Sequence, residues 1–147
     1  MIHAFHKRRA LGPACLSLAA LASGIWMMQA QPKANPNFTG GEVTPVEIAK
    51  QPSIVSFRFG PGARTKWHSH SGGQIILVEE GVARNQVKGQ PIQELKAGET
   101  TYVGPNVVHW HGASPTQAGV QYNITRGDIT WGAEVTDAEF KAAPGKK

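Results

Sequence analysis

The sequence predicts an all-β fold, a jelly-roll β-barrel with a short C-terminal helical turn. Three observations point there. Short runs rich in β-branched and aromatic residues recur from residue 42 to residue 132, broken by Gly, Pro, Asn or Ser. Breaks every 8–12 residues or so are the rhythm of a sandwich or closed barrel. No stretch before residue 136 carries a helical period, and about 110 residues outside the leading segment suffice for one core.

Taken in order, residues 1–30 read as a secretory signal. Lys7, Arg8 and Arg9 form a basic start, residues 14–28 an apolar run, and Gln29-Ala30-Gln31 a small-residue exit. The run is shorter than the ~20 apolar residues that span a bilayer. Cleavage after Ala22 or Ala30 fits, with Ala30 favoured; an uncleaved anchor is the alternative. Residues 31–37 read as a linker, 38–140 as the domain and 141–147 as a tail.

Residues 42–48 form a first strand, which Pro45 places at an edge. Residues 53–59 alternate, with Val55, Phe57 and Phe59 on one face. Gly60-Pro61-Gly62 is a turn, and a strand through His68 and His70 follows. Residues 74–79 are a β-rich run closing at Glu80-Gly81, with 82–87 expected as its hairpin partner. Further strands are expected at 92–95, 100–103, 107–113, 119–125 and 130–132, with turns at Lys88-Gly89-Gln90, Lys96-Ala97-Gly98, Gly104-Pro105-Asn106 and Ser114-Pro115-Thr116. Thr136, Asp137 and Glu139 before Phe140 read as a capped helical turn.

The formal charge of +5 is misleading, because removing Lys7, Arg8 and Arg9 leaves 12 basic against 10 acidic residues, a net of +2. That balance gives no argument for a nucleic-acid partner, nor for a membrane beyond the leader. Cys15, the sole cysteine, also lies in the leader, so the exported chain has no thiolate ligand and no cysteine nucleophile.

Chemistry concentrates in two stretches. Of six histidines, the four beyond the leader are His68, His70, His109 and His111, two His-x-His pairs. Residues i and i+2 of a strand share a face, so each pair aims two imidazoles at one point. The turn at Ser71-Gly72-Gly73 lets Gln74 face the same point. If His68, His70, Gln74 and His109 converge, they offer three imidazole nitrogens and one amide oxygen to a divalent metal and leave positions open for a ligand. All four are neutral, so the ion keeps its full charge, which favours an anionic ligand and sharpens Lewis acidity. Donor chemistry leaves Mn, Fe, Ni, Co, Cu and Zn open. His111 is a candidate acid or base, an orienting donor, or a pocket-lining residue. Val55 and Phe57 should narrow the pocket. Gln121, Thr125 and Tyr102 are candidates to present polar groups to it. Trp67 and Trp110 should face away from the ligands and pack between sheets.

The spacing resembles the two motifs of the cupin superfamily. Gly62, five residues, His68-x-His70, three residues, Gln74, six residues and Gly81 follow the first, with Gln where Glu is usual. Gly98 and His109 keep their places in the second, while Gly104, Asn106 and Ala113 replace its usual Pro, Gly and Asn. More narrowly, Phe38-Thr39-Gly40, Pro61 to Thr65, Trp67-His68, Gly73-Gln74 and His109 to Ala113 resemble small cupins that include manganese-dependent hydroxynitrile lyases. That resemblance implies Mn(II) held by His68, His70, His109 and Gln74, with Fe(II), Ni(II) or Zn(II) as other occupants. It implies lyase chemistry on a small carbonyl or hydroxy substrate. The lyases carry a basic histidine on the strand after the second motif and a Gln farther along it; those positions here are Gln121 and Thr125. The catalytic candidates are therefore His111, as proton carrier, and Gln121, as substrate orienter. An Fe-dependent dioxygenase and a non-catalytic periplasmic binding protein are the alternatives. Small cupins commonly pair through sheet edges, which implies a homo-oligomer, dimer or tetramer, in the periplasm or secreted.

Overall fold

A computed structural model describes residues 35–50 and 52–146. The leader and most of the linker lie outside them. Among the described residues, eleven strands and one helical turn follow in order: β1 (Phe38–Thr39), β2 (Val43–Lys50), β3 (Ser53–Phe59), β4 (Arg64–Thr65), β5 (His68–His70), β6 (Gln74–Val87), β7 (Gln93–Lys96), β8 (Thr100–Val103), β9 (His109–Ala113), β10 (Gly119–Thr125), β11 (Ile129–Trp131) and α1 (Asp137–Phe140). All strand pairings are antiparallel. The result is the expected jelly roll.

β6 is the spine. Its first half pairs with β8 and β10, its second half with β7 and β9, so one strand belongs to both sheets. The hairpin expected at Glu80-Gly81 is therefore absent, and the strand runs on. Gly81 takes a positive φ of 72°, and the register against β10 slips between Val120 and Gln121. A glycine kink beside a bulge bends a strand from one sheet to the next without reversing it. The Gly-punctuated sequence reads the same for either outcome.

The first sheet runs β2-β3-β10-β6-β8, and the second gathers β1, β4 and β5 along the far edge of β9. The inner face packs Phe59, Ala63 and Ala113 with Phe38, Val43 and Phe57, and, in a separate cluster, Val78 with Ala83 and Leu95. Trp67 and Trp110 do point away from the histidines. They pack with Ile92, Val135 and Phe140, in an edge-to-face pair 6.5 Å apart. Their cover is thus the C-terminal segment, where packing between the two sheets had been expected. The helical turn has the expected capping box: the Glu139 N–H donates to Thr136 Oγ1, and the Thr136 N–H donates to the Glu139 carboxylate.

Candidate metal centre

β5 and β9 lie side by side, with His68 directly opposite His109. Alternation then turns all four imidazoles of the two pairs to the inner face. His68 sits among the others: its ring centroid lies 4.3 Å from that of His109, 5.1 Å from His70 and 5.3 Å from His111. All four are buried. Ring nitrogens of His68, His109 and His111 fall within 4.8 Å of one another, a group able to hold a metal ion. His70 stands beside that group, and its Nε2 is buried with no hydrogen-bond partner.

The protonation pattern follows from the neighbours. His68 Nδ1 lies 2.9 Å from the Lys66 carbonyl and His109 Nδ1 lies 3.1 Å from the Val107 carbonyl. A carbonyl only accepts, so each Nδ1 carries the hydrogen and each Nε2 presents a lone pair. His111 Nδ1–H donates to Gln121 Oε1 at 3.0 Å, which leaves its Nε2 unprotonated, 3.5 Å from Gln74 Nε2. Burial holds all four rings neutral at neutral pH. It lowers His68 to about 3, with the His109 charge adding to the effect, and His109 to about 4. Burial also lowers His70, and it lowers His111 well below the usual value with help from the His68 and His109 charges.

Gln74 completes the group. Its Oε1 lies 2.5 Å from His109 Nε2. With the His109 hydrogen committed to Val107, two lone pairs face each other there. A neutral imidazole cannot satisfy both contacts, whereas a cation ligated by both acceptors removes the conflict. That conflict, and the orphaned Nε2 of His70, fit a divalent metal.

Beside the histidines opens a cavity of about 270 Å³, lined by Val55, Phe57, Thr125, Phe38, Ile129 and Trp131 among others. Val55, Phe57 and Thr125 were expected there. Tyr102 was also expected, but it is 65% exposed on the outer face of the barrel. Gln121 differs too. It is fully buried behind His111, and its Nε2 donates to the Gly112 carbonyl at 2.7 Å. Both ends of its amide are occupied, so it orients His111 and does not reach the cavity.

Three contributors escaped sequence reasoning. Asn123 accepts from Gln74 Nε2 at 2.9 Å, Thr65 Oγ1 accepts from the His111 backbone N–H at 3.1 Å, and the Trp131 ring lies tilted against His68 with centroids 4.9 Å apart. Asn123 was legible, since it sits midway between Gln121 and Thr125 on one face of an alternating strand. Thr65 and Trp131 act through long-range pairing that alternation does not encode.

The barrel and its histidine cluster define a small metal-site β-barrel protein. The chain belongs to the cupin family: the cupin domain (Cupin_2) matches residues 55–128. Among relatives, it is 35% identical over 112 residues to an (R)-mandelonitrile lyase of Granulicella tundricola, covering 71% of this chain and 86% of that one. Among solved structures, a cupin-like protein of Thermotoga maritima shares 38% identity at a TM-score of 0.66, covering 75% of this chain and 90% of that chain. A cupin superfamily protein of Desulfitobacterium hafniense matches in fold alone, at 18% identity and a TM-score of 0.54 over 61% of this chain and 82% of that chain. The chain thus resembles the hydroxynitrile-lyase-like cupins, and its histidine cluster suggests a divalent metal.

Proposed function

We propose that this chain is a metal-dependent lyase that cleaves or forms a small α-hydroxy compound, of which mandelonitrile is the first candidate. The observation that carries the reading is the convergence of unprotonated imidazole nitrogens and the Gln74 oxygen beside an apolar cavity. His68, His70, Gln74 and His109 hold the ion. The buried, unpartnered Nε2 of His70 favours that residue as ligand over His111, whose nitrogens face Gln121 and Gln74. Mn(II) is favoured, with Fe(II), Ni(II) or Zn(II) as alternatives. When bound, the metal supplies Lewis acidity toward a carbonyl or alkoxide oxygen.

The chain's own residues do the rest. His111 takes up the substrate hydroxyl proton at Nε2, because Gln121 fixes the other hydrogen on Nδ1. Cleavage of a cyanohydrin then breaks the carbon–carbon bond, leaves an aldehyde and releases cyanide, which takes the proton back from His111. Phe38, Phe57 and Trp131 form an aromatic wall, with Phe38 centroids 5.5 Å from Phe57 and 6.3 Å from Trp131, that receives an apolar substituent and keeps water out. The similarity to a mandelonitrile lyase supports this substrate class. The same reading takes the chain as exported behind its leader, without a nucleic-acid partner, and as a homo-oligomer paired through the edge strand β2.

The test is metal analysis of purified protein together with mandelonitrile cleavage followed by aldehyde release. One divalent ion per chain and cleavage in wild type are expected. His68→Ala, His70→Ala and His109→Ala should lose the ion, while His111→Ala should keep it and lose turnover. Wild-type protein without stoichiometric metal would end the reading. Metal retention with substrate-linked oxygen uptake and no cleavage would move the chain to the oxygenases.

A further inference from the structure

A glutamine is an ambiguous ligand, because its amide oxygen and nitrogen have almost the same shape. Turned one way, Gln74 offers a lone pair to the histidine cluster. Turned the other, it offers two N–H groups that repel a cation. Something must choose between them.

The choice is made on β10. Asn123 is 2% exposed, and its Nδ2 donates to the Gln121 backbone carbonyl at 3.3 Å. That carbonyl cannot donate, so Asn123 is held with Oδ1 toward Gln74. An acceptor at that position admits only the NH2 end of Gln74, which donates to it at 2.9 Å. A second, longer contact of 3.5 Å runs from the same nitrogen to His111 Nε2, which is also an acceptor. The amide oxygen of Gln74 is left facing His109.

We infer that Asn123 is a positioning residue for the metal centre: it pins the Gln74 amide so that oxygen, not nitrogen, faces the ion. The inference rests on the proposed metal site. The polarity originates in a backbone carbonyl, which no side-chain rearrangement can reverse. Asn123 needs no contact with ion or substrate, and its contribution disappears if residue 74 has two equivalent oxygens.

Mn(II) affinity, measured by titration with electron paramagnetic resonance readout in a double-mutant cycle of Asn123→Leu and Gln74→Glu, tests this. Orienting partners of metal ligands contribute about 10–100-fold to affinity. Asn123→Leu should therefore weaken Mn(II) binding by about tenfold or more, and the same change made on top of Gln74→Glu should weaken it less than about twofold. Unchanged affinity in Asn123→Leu, or equal losses in both backgrounds, would overturn the inference. The side-chain amide signals of Gln74 in metal-free protein give a second readout. They should be protected from exchange in wild type and lose that protection in Asn123→Leu; retained protection would overturn the inference. Should wild type bind no Mn(II), the metal reading falls, and the amide signals still decide what Asn123 does.

Discussion

Gln74 carries the electrostatic argument at the scale of single residues. Three imidazoles and an amide add no charge, so a bound divalent ion keeps two positive charges inside a buried site. Coulomb attraction in such surroundings is far stronger than in water, and anionic ligands should bind well. Gln74→Glu preserves the shape and cancels one charge. It should weaken azide or cyanide binding to the Mn(II) protein by about tenfold, roughly 1.4 kcal/mol, measured by anion titration; equal or tighter binding would count against the charge argument. The His-x-His spacing made the ligand candidates visible in sequence. Their tautomers were not visible, because those depend on the carbonyls of Lys66 and Val107 and on the amide of Gln121. Gln121 is expected at the cavity and instead stands behind His111, since alternation tells which face a side chain takes and not how deep it lies.

At the scale of elements, β6 and the C-terminal turn show why strand lists fall short of topology. Residues 53–59 and 119–125 matched their expected limits because polar–apolar alternation marks a half-buried strand from end to end, and residues 100–103 because the Gly98 and Gly104 turns bracket them. β6 did not, because Gly81 inside a β-rich run reads as a turn, and only the partners on both sides reveal a bend. The C-terminal turn was legible from its capping box, but its anchorage was not. Phe140 is 2% exposed, with the guanidinium carbons of Arg64 and Arg84 at 4.5 and 5.7 Å from its ring centroid. Arg64 also donates to the Val135 carbonyl and to Asp137, and Arg84 to Glu94 and the Phe140 carbonyl. This clamp seals Trp67 and Trp110 behind the histidine strands. Phe140→Ala should cost about 3 kcal/mol, near the low end for truncating a buried Phe, read as a lower urea midpoint. An unchanged midpoint would mean the segment is not part of the folded core.

At the scale of the whole molecule, the first sheet leaves several large apolar side chains exposed. Val46 and Ile48 on the edge strand are 58% and 52% exposed, and Ile75 and Tyr102 are also uncovered. An open, apolar edge invites a second copy or aggregation. We propose this edge as the contact of the proposed homo-oligomer: Val46→Lys with Ile48→Lys should then give a monomer in light scattering, whereas an unchanged mass would place the contact elsewhere. The claim beneath all of this is that chain segments some forty residues apart close around one cation. Anomalous diffraction from a crystal of Mn(II)-loaded protein tests it most directly. The account predicts a single peak at coordination distance, roughly 2.0–2.3 Å, from Nε2 of His68, His70 and His109 and from Oε1 of Gln74. A peak elsewhere, or none between those atoms, would contradict it.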